Sequence, residues 1–267
     1  MKLKIMILII ALTCSTVFAQ EAEQKPIYTR VAVWGVERGQ TKQFIDQFAK
    51  YRKPVYDKLL KDGVLTDWGL EEITFHKPEG MTHVQWWSYR KHGDHEKVKA
   101  AFKEAAKKRG EEEIEKATAQ FASMVKKHRD YYIKTKHIKA AASNYEGAVY
   151  RSFSVTVKTD HGKDFNSYYQ HRIKPVYQKL LDDGVLISYG LFVDELTMDK
   201  RGSHEVWAIA KDLNGLDAID AAFDKDWGDM EGEDRRARWS SIKDIVELDT
   251  FKEYMSTILM GGTQAVE

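Results

Sequence analysis

Apolar and polar positions along this chain switch repeatedly between two spacings. From Ile27 to Val36 they alternate, with Val31 and Val33 set among aromatic neighbours. That period of two predicts a strand, which Gly39 punctuates. From about Thr41 the spacing lengthens: Phe44, Ile45, Phe48, Tyr51 and Val55 recur every three or four positions, as on one face of a helix. Pro54 removes a donor and crowds the preceding turn, so a kink or short break is expected before the helix restarts as VYDKLL. Gly63 suits the left-handed position that ends it. Val64 to Phe75 and Thr82 to Tyr89 read as the second and third strands, with Pro78-Glu79-Gly80 as their turn. Helical spacing then returns with Val98, Ala101, Phe102 and Ala105, breaks near Gly110, and resumes with Ile114, Phe121, Met124 and Val125. The lysines and glutamates between them read as a solvated helix face. Asp130 to Ile138 alternates again, as a fourth strand would.

The chain then says the same thing a second time. KPVYDKLLKDGVLTDWGL, THVQW and AAF between Lys53 and Phe102 return as KPVYQKLLDDGVLISYGL, SHEVW and AAF between Lys174 and Phe223, at one constant offset of 174 − 53 = 121 positions. A repeat this long is a small domain rather than a solenoid unit. The second copy predicts strands at Val149 to Val157, Val185 to Leu196, Ser203 to Ala210 and Leu248 to Leu259. Its helices are expected at Lys163 to Leu181, kinked at Pro175 and capped by Gly184, at Leu216 to Phe223, and at about Asp234 to Val246. The expected modules are therefore 27–140 and 148–259, joined by a small, polar linker at 141–147 and followed by a tail at 260–267.

Strand, helix, strand, strand, helix, strand gives a ferredoxin-like, four-stranded antiparallel sheet with helices on one face only. The fold class is thus α+β. In the second copy VLISYGLFV is apolar on both sides, as a strand buried on both faces must be. The cheapest cover for the bare face is the other copy, so the two tandem modules are expected to face each other as a pseudo-dimeric α+β barrel.

The element order, the kinked KPVY…KLL…DGVL helix and the tryptophan on the third strand resemble the dimeric α+β barrel superfamily. Its relatives include antibiotic-biosynthesis and haem-degrading monooxygenases, EthD-like and NIPSNAP-like proteins. The resemblance covers both modules, and it implies that one chain here supplies what two chains usually supply. It carries no catalytic signature.

Lys2 and Lys4, the apolar run Ile5 to Leu12 and the Val17-Phe18-Ala19 stretch read as a secretory signal peptide at 1–19, followed by a leader at 20–26. The run is too short to span a membrane, and no second long apolar run follows. An exported protein, periplasmic or extracellular, is expected. Cys14, the single cysteine, lies in that segment, so thiol chemistry, disulfides and thiolate metal sites drop out. Net charge is +1, which leaves no basic surplus for nucleic acid. Two modules of about 110 residues can each bury a core unaided.

Candidate chemistry falls on aligned aromatics and histidines. His83 and Trp86 match His204 and Trp207, and odd spacing on a strand puts the members of each pair on opposite faces. One member would line a pocket between modules and the other would be core. Trp68 and Tyr189 also correspond, beside Gly69 and Gly190, where a glycine relieves crowding by a neighbouring aromatic or a ligand. Trp34, Trp68, Trp86, Trp87 and Tyr89 make the first copy the more aromatic one, which points to one dominant pocket. Lys50-Tyr51-Arg52 corresponds to His171-Arg172-Ile173, and Arg52 or Arg172 would suit an anionic group, although both also read as solvated surface.

No metal site is expected. His92 and His95 are three apart, with His76 or His83 in range, but they lack a carboxylate–histidine motif and the second copy has Leu213 and Leu216 instead. The resemblance admits haem, for which Trp86 or Trp87 with His95 is the nearest match to the family's tryptophan and histidine; the expectation is no cofactor. No GxSxG, P-loop or GxGxxG element is present in the sequence. The leading expectation is a protein that binds a small apolar or aromatic ligand between its modules. A cofactor-independent or haem-dependent monooxygenase-like enzyme is the alternative, and an assembly protein with an oligomeric or protein partner the third.

Overall fold

The computed structural model describes residues 26–74, 80–141, 143–194, 203–228 and 241–266. The expected signal segment, Pro78-Glu79 and most of the 234–246 helix lie outside them, and residues 241–245 are helical. The first copy runs β1 (Ile27–Val36), α1 (Thr41–Tyr51), α2 (Lys53–Lys61), β2 (Asp67–Ile73), β3 (His83–Tyr89), α3 (Asp94–Arg109), α4 (Glu111–Met124) and β4 (Val125–Ala140). A two-residue β5 (Ser143–Asn144) leads into β6 (Val149–Val157), α5 (Gly162–Tyr168), α6 (Lys174–Asp182), β7 (Leu186–Asp194), β8 (His204–Ala210), α7 (Leu213–Gly228) and β9 (Val246–Thr263). Strand pairing repeats with the sequence: Trp34 faces His83 in β1–β3, and Val155 faces His204 in β6–β8.

Each proline breaks its helix, and the two copies resolve the break differently. Pro54 lies in the first turn of α2, and the chain turns at Arg52. The Lys50 carbonyl, which Pro54 has no N–H to meet, accepts instead from the Arg109 guanidinium at 2.7 Å. In the second copy a π-helical turn, Tyr169–Ile173, precedes Lys174, whose N–H reaches back to the Tyr169 carbonyl.

The strands join in the order β2-β3-β1-β4-β7-β8-β6-β9, and β9 returns to β2, closing an eight-stranded barrel. All of these pairings are antiparallel. The fourth strand of each module makes the closure. Residues 125–135 of β4 pair with β1 while 133–140 pair with β7 of the other module. Likewise 246–257 of β9 pair with β6 while 256–263 pair with β2. Serving two partners explains why these strands outrun the expected 130–138 and 248–259. Residues 260–263, expected as tail, are therefore strand, and β5 within the expected linker pairs with the end of β9.

Helices cover the outside of the barrel. The first module packs Phe44, Phe48, Tyr56 and Leu59 against Trp34, Trp68, Leu70 and Trp87. The second packs Phe165, Tyr169, Tyr177 and Leu180 against Tyr189, Leu191, Val206 and Ala208. The opposite strand faces look inward on the lumen. Among the described residues no helix is long and apolar enough to cross a membrane.

Candidate functional site

Strand alternation sorts the six expected site residues into two groups. Trp86 and Trp207 face the lumen between the modules. His83, His204, Trp68 and Tyr189 face the helices, so they do not line the inter-module cavity and the expectation is corrected for these four. His83 is fully buried, hydrogen-bonded to Thr82 Oγ1 at 2.8 Å, with its ring 4.9 Å from Phe44. His204 repeats the arrangement with Ser203 at 2.9 Å and Phe165 at 4.9 Å. Burial, aided by Lys136, lowers the His204 pKa to about 4, so it is neutral at pH 7. Trp68 stacks on Tyr56 at 5.4 Å, and Tyr189 donates to Gln178 Oε1 at 2.7 Å.

Gly69 and Gly190 seat the two lumen tryptophans. Trp86 lies directly across from Gly69 and Trp207 from Gly190. A Cβ on Gly69 would come within 2.2 Å of the Trp86 ring, and one on Gly190 within 2.7 Å of the Trp207 ring. The seated Trp86 donates its indole N–H to Asp67 at 2.8 Å. Asp67 also accepts from Ser88 at 3.0 Å and Thr66 at 3.1 Å, and burial pushes its carboxyl up to about 6 against those hydrogen bonds. The lumen is a cavity of about 760 Å³. Exposed Arg129, Lys252 and Glu253 rim one end, and buried Asp67, Ser88 and Tyr145 close the other.

A second cavity, about 880 Å³, lies on the other side of the first sheet, under α3 and α4. Its walls are aromatic: Trp34, Tyr56, Trp87, Phe102 and Phe121. Arg52, freed at the helix break, places its guanidinium 4.5 Å from the Phe121 centroid and 5.5 Å from that of Trp34. Arg30 reaches over Trp87 at 5.5 Å and pairs with Asp130 at 3.0 Å. Burial pushes the Tyr56 phenol up to about 12 although Arg52 and Gln85 counter it, so it stays protonated. Burial, with Lys99 and Arg30, lowers the pKa of His95.

Polar atoms of this cavity's lining are left without partners. Gln85 Oε1, the Trp87 indole nitrogen and His95 Nδ1 are buried with no hydrogen-bond partner among the described residues, while the Gln85 amide N–H is directed at the Tyr56 hydroxyl. Native interiors rarely leave such groups, each of which costs about 1–3 kcal/mol. The second copy carries the control. At the positions of Arg52, Gln85, Trp87 and His95 it has Ile173, Val206, Ala208 and Leu216, all packed in or against its apolar core. The fold therefore runs without polar groups at these four places. Arg52 and His95 stand out when the copies are aligned; Gln85 was missed, although its replacement by Val206 is the available signal.

Of the histidines considered for a metal, His92 Nδ1 is hydrogen-bonded to the Tyr132 hydroxyl at 2.7 Å, His83 lies on β3 against Phe44, and His76 lies outside the described residues. Among the described residues no group of three or more His, Cys, Asp or Glu could hold a metal. For haem, the first-module cavity offers His95 with an unpartnered Nδ1, and Arg30, Arg52, Lys99 and Arg109 for carboxylates. That donor set fits the group in kind.

No protein-family model matches the chain, and no curated protein matches it in sequence. Solved structures do resemble it in fold. A proposed monooxygenase from Fusobacterium nucleatum aligns with TM-score 0.63 and 12% identity over 91% of this chain and 97% of its own. One from Lactobacillus acidophilus gives 0.57 and 10% over 91% and 99%. A chlorite dismutase variant from Candidatus Nitrospira defluvii gives 0.48 and 7% over 87% and 90%. The chain has the dimeric α+β barrel fold, with both ferredoxin-like modules in one polypeptide.

Proposed function

We propose that the protein binds a planar, aromatic or conjugated molecule bearing an anionic group, in the cavity under α3 and α4 of the first module. The carrying observation is the convergence of Gln85, Trp87 and His95, each with a buried unpartnered polar atom, on a cavity whose counterpart positions are apolar in the second copy. The volume lies within the range of small-molecule sites. Trp34, Tyr56 and Trp87 supply flat walls, Arg52 the countercharge, and Gln85 and His95 the orientation. This moves the expected ligand site from between the modules to within one of them. The two cavities also favour a ligand role over assembly, which needs no internal space. The signal-like segment supports export, which the mass of the mature protein would test.

An enzymatic reading is favoured by one feature, a histidine whose pKa is lowered by burial and by neighbouring Lys99 and Arg30 inside the same cavity. The likeness to two proposed monooxygenases makes ligand oxidation the reaction to test. Haemin belongs to the class of planar anions and is one probe.

The test is a titration of the purified protein with 2-naphthoate, 2-naphthylmethanol and haemin. The carboxylate should bind about ten-fold more tightly than the alcohol, a difference that Arg52→Ile abolishes. A Soret shift lost in His95→Leu would assign haem, and oxygen uptake on ligand addition would assign oxidation. Equal binding of acid and alcohol, or a preference untouched by Arg52→Ile, would overturn the proposal.

A further inference from the structure

The barrel lumen is a separate chamber, walled off from the first cavity by the sheet itself. Its chemistry is of opposite sign. Three carboxyl groups line its interior, from Asp67, Glu71 and Glu205, while its basic residues, Arg129 and Lys252, are exposed at the rim beside a fourth carboxyl, Glu253. The repeat does not call for these acids: the matching positions hold Ser188, Phe192 and Val84. Asp67 is held by the Trp86 indole and the Ser88 and Thr66 hydroxyls, all neutral donors. Glu71 accepts from the Tyr254 hydroxyl at 2.6 Å and Ser256 at 2.7 Å, and Glu205 from the Tyr150 hydroxyl at 2.9 Å.

Rings fill the waist between these acids. Tyr150 lies 6.5 Å from Trp86, 6.1 Å from Trp207 and 5.8 Å from Tyr254, centroid to centroid, and Phe192 stacks on Trp207 at 5.0 Å. Burial raises the pKa of Tyr150 and Tyr254 far above the usual phenol range, so both remain donors and their π faces remain neutral. Carboxylates set among electron-rich faces are complementary to an organic cation. A second observation points to a ligand. Trp207 is 3% exposed and Thr135 5%, both line the lumen, and the Trp207 indole nitrogen and Thr135 hydroxyl have no partner among the described residues. Trp86, the copy of Trp207, has Asp67 as its acceptor; at that place the second copy has only Ser188, whose hydroxyl is 3.3 Å from that of Tyr145. An incoming oxygen is the natural acceptor for the Trp207 N–H.

We infer that the lumen is a second binding site, for a small arylalkylamine that carries an oxygen acceptor, with its ammonium group toward Asp67 and its ring against Trp86, Tyr150 and Trp207. The ligand enters by the Arg129–Lys252 rim, since Tyr145 and the β5–β9 pairing close the far end. The inference stands independently of the anion site under the helices.

Three probes of one shape and different charge test it: tyramine, 4-ethylphenol and 4-hydroxyphenylacetate, titrated calorimetrically into the full-length mature protein. Tyramine should bind about ten-fold more tightly than 4-ethylphenol, and the acid most weakly. Asp67→Asn should cost tyramine about ten-fold and leave 4-ethylphenol within about two-fold; Glu71→Gln serves if that variant does not fold. Arg52→Ile, which removes the anion site, should leave tyramine binding unchanged. Failure of tyramine to saturate the wild-type protein overturns the inference. So does an acid or neutral probe that binds as well as tyramine, a carboxamide variant that keeps full affinity, or loss of tyramine binding in Arg52→Ile.

Discussion

Asp67 carries the clearest consequence of placing one charge on one face of one strand. Its carboxyl is pushed up to about 6 because burial outweighs three hydrogen bonds. A carboxyl whose pKa is higher folded than unfolded holds its proton more tightly in the folded state. Its contribution therefore falls as pH rises from about 4 to about 6, and above that range it costs on the order of 3 kcal/mol. His204, with a pKa lowered to about 4, has the opposite slope over part of the same window. The difference between wild type and Asp67→Asn, rather than either curve, isolates the aspartate. Urea unfolding at pH 4.5 and 7.0 should show the variant gaining on the wild type by about 2 kcal/mol at the higher pH. A pH-independent difference would mean that the carboxyl is solvated. Residue chemistry of this kind was invisible in the sequence, where Asp67 is one of 41 acids and only the closed barrel puts it on a floor.

At the level of elements, the paired β2 and β3 strands depend on a glycine seat. A methyl group at residue 69 would meet the Trp86 ring at 2.2 Å, far inside contact distance. Gly69→Ala must move that ring and so loosen the Trp86–Asp67 hydrogen bond, costing about 2–3 kcal/mol in chemical unfolding. Gly190→Ala meets both the Trp207 ring and the His137 carbonyl and should cost as much. An effect below about 0.5 kcal/mol at both sites would show that the tryptophans shift freely. The glycine–aromatic neighbourhood was legible in the sequence because the repeat preserved it. So was each proline break, though not its form: the π turn before Lys174 and the Arg109 contact to Lys50 arise from tertiary neighbours. The fourth strands were read too short because their C-terminal halves pair across modules, where periodicity gives no warning.

For the whole molecule, duplication revealed the architecture early and obscured the site. Shared text such as KPVY…DGVL and the histidines of HxxW proved to be kink, cap and core, while the tryptophans of HxxW line the lumen. Trp86 and Trp87 stand side by side in the sequence yet face different cavities, a distinction only the sheet's two sides create. The informative positions are those where the copies part. Each module serves as the other's control: the second shows that the fold tolerates Val and Leu where the first places Gln85 and His95. The most direct test of the central claim is ligand-free unfolding of Gln85→Val/His95→Leu, measured beside its binding of 2-naphthoate. Removing unpartnered buried polar atoms should leave stability unchanged or raise it by up to about 2 kcal/mol, while affinity falls at least about ten-fold. A loss of more than about 2 kcal/mol with binding intact would contradict the account and make both residues structural.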